Sequence, residues 1–348
     1  MKPLRKTSQV LVLLILILAG TLAAFAGGVM ARGGQAESPE NSVPDVMVEK
    51  LPPIPSHPMA IEHLQNRSYP ASPFVLVEEL PPREAYTQSV VTYQSEGLNI
   101  RGLLTIPTGP MPPGGFPGVI FIHGYIPPAE YSTTRNYSTY QARLARHGFV
   151  TFKPDLRGHG KSEGEPVKSH YSEKYLVDTL FSISALANHE KVNPEKLLYW
   201  GHSNGGQIGL RVIVLDPRIQ AASLWAGVVG SYVDQLETYN SQISFLQDAK
   251  DSDLVQTHGW PSENPEFWNQ IEPYAYLDRV KAPVQILHGT EDYSVPIILS
   301  RQLRAALERA GVEVDYREYP GDDHNLSQNV DAAFARTIQF YRRSLGEQ

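Results

Sequence analysis

Three side chains that together can activate a nucleophile at neutral pH occur in one order along this chain: Ser203, Asp292 and His324. A serine hydroxyl is a weak nucleophile alone. It needs a base to take its proton and an acid to orient that base. The stretch Gly201-His202-Ser203-Asn204-Gly205-Gly206 follows the apolar run Leu197-Leu198-Tyr199-Trp200 and opens an amphipathic segment, so Ser203 stands at a strand-to-helix turn. Such a turn lifts the hydroxyl clear of a sheet edge and leaves no room for side chains two positions before and after, hence Gly201 and Gly205. A bare G-x-S-x-G arises often by chance. The strand before it, the helix after it and the extra Gly206 distinguish this one from a serine that merely caps a helix.

The acid should follow a late strand. Residues 284–287 read as that strand, and Asp292 lies in the loop His288-Gly289-Thr290-Glu291-Asp292-Tyr293-Ser294-Val295-Pro296. Glu291 is the adjacent rival; the D-x-x-V-P spacing selects Asp292. The base should sit after the last strand, where His324 is the only histidine beyond His288. An oxyanion formed on the attacked carbonyl needs two amide donors. The amide of Asn204 is first in the helix that starts at the nucleophile, and the helix N-terminus favours negative charge there. The second candidate is the amide of Tyr125, in the loop after Phe121-Ile122-His123-Gly124, with its phenol as a weaker contributor. His123 and His202 read as supporting residues. The chemistry predicted is two-step acyl transfer through a seryl ester.

These residues need a scaffold, and the pattern supplies one. Alternating stretches at 90–94 and 99–106 predict two strands joined at Glu96-Gly97. Short apolar strands are predicted at 119–122, 149–154, 197–200, 221–226, 284–287 and 313–319, with helices at 137–147, 173–189, 204–215, 296–310 and 332–344. Strands and helices in alternation predict an α/β fold, a mostly parallel central sheet flanked by helices on both faces. Residues 231–278 interrupt the alternation and read as a small helical cap insertion. Its aromatics (Tyr232, Tyr239, Phe245, Trp260, Phe267, Trp268, Tyr274 and Tyr276) either line an acyl or aryl pocket or pack the insertion onto the body.

The hydrolytic unit is expected over 84–348, with other functions before it. Lys2, Arg5 and Lys6 precede an apolar run over 10–30, and no acidic residue occurs before Glu37. That is the layout of an export signal, with Ala24-Phe25-Ala26 as a cleavage site, or of an uncleaved membrane anchor. Residues 1–30 are therefore expected to carry the protein out of the cytoplasm, to be secreted or to stay tethered. Residues 31–83, with ten prolines, are expected to form a linker that becomes an extended arm, with a short edge strand at Phe74-Val75-Leu76-Val77.

Composition removes several alternatives. The net charge of −7 over 348 residues, with no basic stripe, argues against nucleic acid as a partner. The absence of cysteine removes a thiol nucleophile, disulfides and a lipid-anchor cysteine. The segment 155–162 fails a phosphate-binding loop because Asp155 stands at the first glycine, and fails G-x-G-x-x-G because Glu163 stands at the last. No H-E-x-x-H spacing occurs, so no metal or cofactor is expected.

Taken together, His123-Gly124, Asp155-Leu156-Arg157-Gly158-His159-Gly160-Lys161-Ser162, the 201–206 turn, Gly289-Thr290-Glu291-Asp292 and Asp323-His324 resemble the α/β-hydrolase superfamily. The doubled glycine after Ser203 resembles its prolyl-oligopeptidase, dienelactone-hydrolase and cinnamoyl-esterase branch. The resemblance runs from Tyr86 to the C-terminus and implies a metal-free acyl-enzyme mechanism. The sequence has no room for a large propeller domain, and dienelactone hydrolases use a cysteine, so a carboxylesterase acting on a small-molecule ester is the leading expectation. The rivals are a peptidase trimming short peptides and a non-catalytic, tethered binding protein on the same scaffold. An intact Ser, Asp and His in order argues against the last.

Overall fold

The computed structural model describes residues 57–347 except 244, 245, 247 and 248, and the described residues fall within one compact unit. The expected export segment at 1–30, its cleavage site and the arm before residue 57 lie outside the described residues. Among the described residues no helix is long and apolar enough to cross a membrane.

Nine strands form one sheet: β1 (Val75–Glu79), β2 (Tyr86–Ser95), β3 (Leu98–Pro107), β4 (Phe116–Ile122), β5 (Val150–Pro154), β6 (Val192–His202), β7 (Ile219–Trp225), β8 (Val284–Gly289) and β9 (Val314–Tyr319). Their order is β1-β2-β3-β5-β4-β6-β7-β8-β9. The pairings among β1, β2, β3 and β5 are antiparallel, and all those from β5 through β9 are parallel.

The central strand β4 is apolar and buried along its whole length because both faces are covered, yet its residues still alternate between two cores. On β4, Ile120 and Ile122 join the core beneath α3 (Lys174–Ala187) and α4 (Asn204–Leu215), whereas Val119 and Phe121 join the opposite core. That second core is closed by α2 (Ser138–Ala145) and α8 (Val330–Ser344) through Leu144, Phe334, Ile338 and Tyr341. The sheet thus presents the C-terminal ends of β4, β6, β7, β8 and β9 along one edge, where loops meet.

The insertion is helical, as its composition predicts: a π-turn at Asp234–Thr238, short 3-10 turns, α5 (Asp253–His258) and α6 (Pro265–Ile271). Side-chain caps start both helices, Ser252 accepting from Val255 N and Asn264 from Phe267 N.

The expectation of an extended arm with the folded unit starting at 84 is corrected. Residues 61–65 form a helical turn, α1 (Ile61–Gln65), in a proline-free gap between Pro58 and Pro70. Its Ile61 and Leu64 enter the main core, while Met59 and Ala60 enter the core of the insertion beside Leu236, Leu254 and Trp268. The edge strand follows at β1, one residue later than expected at its start. Burial of a few apolar side chains here outweighs the high local proline content. Met59 is 1 % exposed. Met59→Ala should therefore lower stability by about 2–4 kcal/mol in urea unfolding at constant m-value, the range for truncating a buried methionine. A loss below half a kilocalorie (roughly the surface range) would show that this segment does not brace the insertion.

Candidate active site

Ser203 occupies the turn between β6 and α4 with φ 54° and ψ −114°, a conformation non-glycine residues rarely adopt. Its neighbours explain how the turn is tolerated. A Cβ on Gly201 would lie 2.3 Å from the Gly205 oxygen, and one on Gly205 would lie 2.2 Å from the oxygen of Ile122. A Cβ on Gly206 would meet Gly227 Cα at 2.6 Å. Strand β7 and the segment after it finish the clamp: Ser203 N donates to Trp225 O at 2.9 Å, and Val228 N donates to Ser203 O at 3.3 Å.

The acid and base loops lie against each other. Gly289 makes this possible, since a Cβ there would sit 2.3 Å from Asp322 O and 2.4 Å from Asp323 O. Glu291 N donates to Asp322 O at 2.9 Å, and Gly321 N to Thr290 Oγ1 at 2.8 Å. The buried Asp322 carboxylate accepts from the amides of Asp323, Gln328 and Asn329, which shapes the loop that presents His324. His324 Nδ1 lies 2.7 Å from Asp292 Oδ2, whereas Glu291 is exposed, so the structure brings Asp292 and not its neighbour to the imidazole.

Asp292 has a second imidazole that sequence reading missed. His288 Nε2 lies 3.0 Å from the same Oδ2, while Oδ1 accepts from Ser294 N and Val295 N at 2.8 and 2.9 Å. Burial by itself would raise the Asp292 carboxyl. The hydrogen bonds from His288 and His324 overcome it and hold the group below the usual carboxylate range. With Nδ1 committed to Asp292, Nε2 of His324 is the nitrogen left for proton transfer. Ser203 Oγ and His324 Nε2 are not hydrogen-bonded to each other, a contact that such sites often form only on substrate entry.

The loop after β4 lies directly on the nucleophile. A Cβ on Gly124 would be 3.2 Å from Ser203 Cβ. His123 Nδ1 is 2.7 Å from Gly124 O, so that carbonyl is drawn toward the buried ring. In a trans peptide the carbonyl and the following N–H point oppositely, so this bond turns the amide of Tyr125 away from His123. On the other side Asn204 N, first in α4, has no acceptor one turn earlier in its helix.

A pocket of about 160 Å3 opens beside these groups, lined by Tyr125, Val167, Lys168, Ser169, His170, Tyr171, Tyr175, Asn204 and Leu246. Three larger clefts, two of about 560 Å3 and one of about 500 Å3, contain none of Ser203, Asp292, His324, Asn204 and Tyr125, whereas the small pocket contains Asn204 and Tyr125 though none of the other three. Of the two roles open to the insertion aromatics, packing is the one the structure shows. Tyr232, Phe267 and Trp268 are buried in the insertion's own core, and among its described residues only Leu246 reaches this pocket. Phe245 lies outside the described residues. The aromatic wall comes instead from Tyr171, in the connection between β5 and α3, from Tyr175 in the first turn of α3 and from Tyr125 after β4, and of these the sequence reading singled out only Tyr125. Among the described residues no group of His, Asp or Glu is disposed to hold a metal.

Behind the pocket, Tyr232 Oη donates to the carbonyl of His170 at 2.9 Å and accepts from Arg211. The amides of Tyr232 and Tyr274 donate to Glu272 at 2.6 and 3.2 Å. Burial drives the Glu272 carboxyl up to about 7, against the pull of those amides and of Arg211.

A model of the prolyl oligopeptidase family matches residues 135–348. The chain is similar to the uncharacterized peptidase YtmA of Bacillus subtilis (27% identity over 250 residues, 71% of this chain and 90% of that one). It is also similar to the acylamino-acid-releasing enzyme of Rattus norvegicus (24% over 267 residues), covering 73% of this chain but 35% of that enzyme, about a third of its length. Among solved structures it is similar to an acetyl xylan esterase from Paenibacillus sp. R4, at a TM-score of 0.63 and 19% identity, covering 81% of this chain and 92% of that one. The acylaminoacyl peptidase of Pyrococcus horikoshii superposes at a TM-score of 0.60 and 19% identity, over 76% of this chain and 41% of that one. These superpositions show the α/β-hydrolase fold.

Glu272 generates a pH prediction. A carboxyl whose folded value lies near 7, against 4.5 as reference, costs nothing while protonated in both states. It destabilises the folded protein progressively as pH rises from about 4.5 to about 7. Glu272→Gln, which never ionises, should gain stability relative to the parent as pH is raised from 5 to 7.5 in chemical denaturation (roughly the span of that titration). Parallel stability curves for the two proteins would contradict the assignment.

Proposed function

The chain belongs to the prolyl oligopeptidase family and is a serine hydrolase, and from that premise we propose that it cleaves esters of small, uncharged acyl groups. The observation that carries this reading is the pocket beside Asn204 and Tyr125. At about 160 Å3 it is smaller than the 300 Å3 or more (roughly) typical of drug-sized ligand sites. Its described lining is mostly aromatic and aliphatic and contains no aspartate or glutamate to pair with a free substrate amine.

In the proposed mechanism the acyl group enters this pocket and Ser203 attacks its carbonyl. His324 takes the serine proton through Nε2, and Asp292 holds the imidazole in the matching tautomer and stabilises its charged form. The amides of Tyr125 and Asn204 receive the oxyanion. His324 then gives its proton to the leaving alkoxide, and water repeats the sequence to release the acid and regenerate Ser203. Cleavage of N-acylated aminoacyl amides is the second reading, favoured by the similarity to acylamino-acid-releasing enzymes. We further propose that residues 1–30 export the protein, on the evidence of Lys2, Arg5 and Lys6 ahead of the apolar run. N-terminal sequencing of protein from the producing cell should find a chain starting after Ala26; an intact, soluble cytoplasmic chain would refute export.

Ser203→Ala should reduce turnover by about 10⁴-fold or more, and Asp292→Asn by about 10³- to 10⁴-fold, with both proteins still folded. p-Nitrophenyl acetate and butyrate should be hydrolysed with a kcat/KM at least about tenfold above that of long-chain esters and of N-acetyl-aminoacyl anilides, as a short pocket requires. Faster cleavage of the anilides would replace the esterase reading with the peptidase one. Retained activity in Ser203→Ala would remove Ser203 as the nucleophile.

A further inference from the structure

The loop after β4 and the loop after β9 serve the same carbonyl, yet β6, β7 and β8 separate those strands in the sheet. A side-chain bridge joins the two loops. Gly124 N donates to Tyr137 Oη at 3.2 Å, Tyr137 Oη lies 2.7 Å from His202 Nδ1, and His202 Nε2 lies 2.9 Å from His324 O.

The chemistry of the two ends sets the direction of every bond. A backbone carbonyl can only accept, so the His202 proton must be on Nε2. His202 is buried, which, with the nearby His324, brings its pKa down to about 3 and leaves the ring neutral. Its Nδ1 therefore accepts, the Tyr137 hydroxyl donates to it, and the phenol oxygen is left to accept from Gly124. Each group has one role and no alternative arrangement satisfies both ends.

We propose that Tyr137 and His202 are positioning residues for acyl transfer, fixing the oxyanion-binding loop relative to the general base. The inference rests on Ser203 and His324 being nucleophile and base. Three independent features are built around the bridge. Gly124 has no room for a side chain, since a Cβ would fall 2.8 Å from Tyr137 Oη and 3.1 Å from His202 Nδ1. Tyr137 is held at φ 59° ahead of α2, a strained position for an aromatic residue. The His202 and His324 rings also lie against one another, with centroids 4.7 Å apart.

Tyr137→Phe, His202→Phe, the double variant and His202→Gln should be assayed with a p-nitrophenyl ester, with rates normalised to active sites titrated by a fluorophosphonate. Tyr137→Phe should lower kcat about tenfold with KM changed less than about twofold, the pattern of lost alignment and not of lost binding. The double variant should be no slower than His202→Phe alone, because a single bridge is broken once. His202→Gln, whose amide can accept at one end and donate at the other, should recover part of the rate. If His202→Phe fails to fold, Tyr137→Phe and His202→Gln carry the test. A Tyr137→Phe kcat within about twofold of the parent, or fully additive losses in the double variant, would overturn the bridge. Ser203→Ala separates the two levels: an inactive Ser203→Ala beside a normal Tyr137→Phe defeats only the bridge, whereas an active Ser203→Ala defeats the reading beneath it.

Discussion

The backbone of Ser203 sits at φ 54°, a strain of the order of 1–3 kcal/mol that the surrounding structure must over-determine. The chain does so by bringing other backbones so close that the turn has nowhere to relax. Gly201 and Gly205 are packed against each other, Gly205 against Ile122 and Gly206 against Gly227. This ties the turn to β4 on one side and to the segment after β7 on the other. Because β6 lies between β4 and β7 in the sheet, the strain is spread over the centre of the molecule. The same close approach that holds the nucleophile also sets Gly124 beside it. The proposed oxyanion donors, the amides of Asn204 opening α4 and of Tyr125 following Gly124, are thus brought to the turn by the same packing.

Around this point the buried polar groups act as pins for loops. Lys153, fully buried on β5, donates to Tyr131 Oη at 2.7 Å and to Thr133 O at 3.0 Å, and both residues hydrogen-bond Asp155 through their hydroxyls. These contacts fasten the segment between Gly124 and Tyr137. Burial lowers the Lys153 pKa to about 8, with Asp155 opposing that shift. A buried ion pair of this kind is weak evidence of stabilisation, since the desolvation of both charges offsets their attraction. Its function here is geometric. The same holds for Asp322, whose carboxylate folds the loop behind His324, and for His288, which contacts the same Asp292 oxygen as His324.

The parts of this site legible in sequence are those set by neighbours along the chain. Gly201 to Gly206 carries its own explanation in local sterics, and Asp292 and His324 were reachable because a parallel sheet delivers acid and base on successive late loops. The alternation on β4 and β6 likewise encodes two cores in one apolar run. What stayed hidden depends on contacts between distant segments. Tyr137 reads as the start of a helix, and nothing nearby tells that its hydroxyl meets His202 sixty-five positions later. Tyr171 lies in a connection with no periodicity to mark it, and nothing in the predicted helix over 173–189 marks Tyr175 as facing a pocket, while Tyr232, Phe267 and Trp268 of the insertion pack its own core. The arm was misread for a related reason. Proline density reports local stiffness, but Met59 and Leu64 are placed by the apolar surfaces they cover.

That insertion core has a further consequence for how specificity and catalysis are joined. It gathers Met59 and Ala60 from the N-terminal segment, Leu246 and Trp268 from the insertion, and Val295 and Leu299 from the acid loop and the start of α7 (Ile297–Arg309). Leu246 also lines the pocket, and Val295 N donates to the Asp292 carboxylate. One apolar cluster thus touches both the wall of the pocket proposed for the acyl group and the backbone that holds Asp292. Close-packed cores transmit changes of volume to their neighbours. Residues that reshape the pocket from behind are therefore coupled to the orientation of Asp292, whereas Val167 and Tyr175, outside this cluster, can change the pocket without moving the acid. Tyr171, the pocket aromatic in the connection between β5 and α3, packs against this same cluster, so it is coupled to the acid loop, whereas Val167 in that connection packs only on the main core and is the freer position for a change of pocket shape.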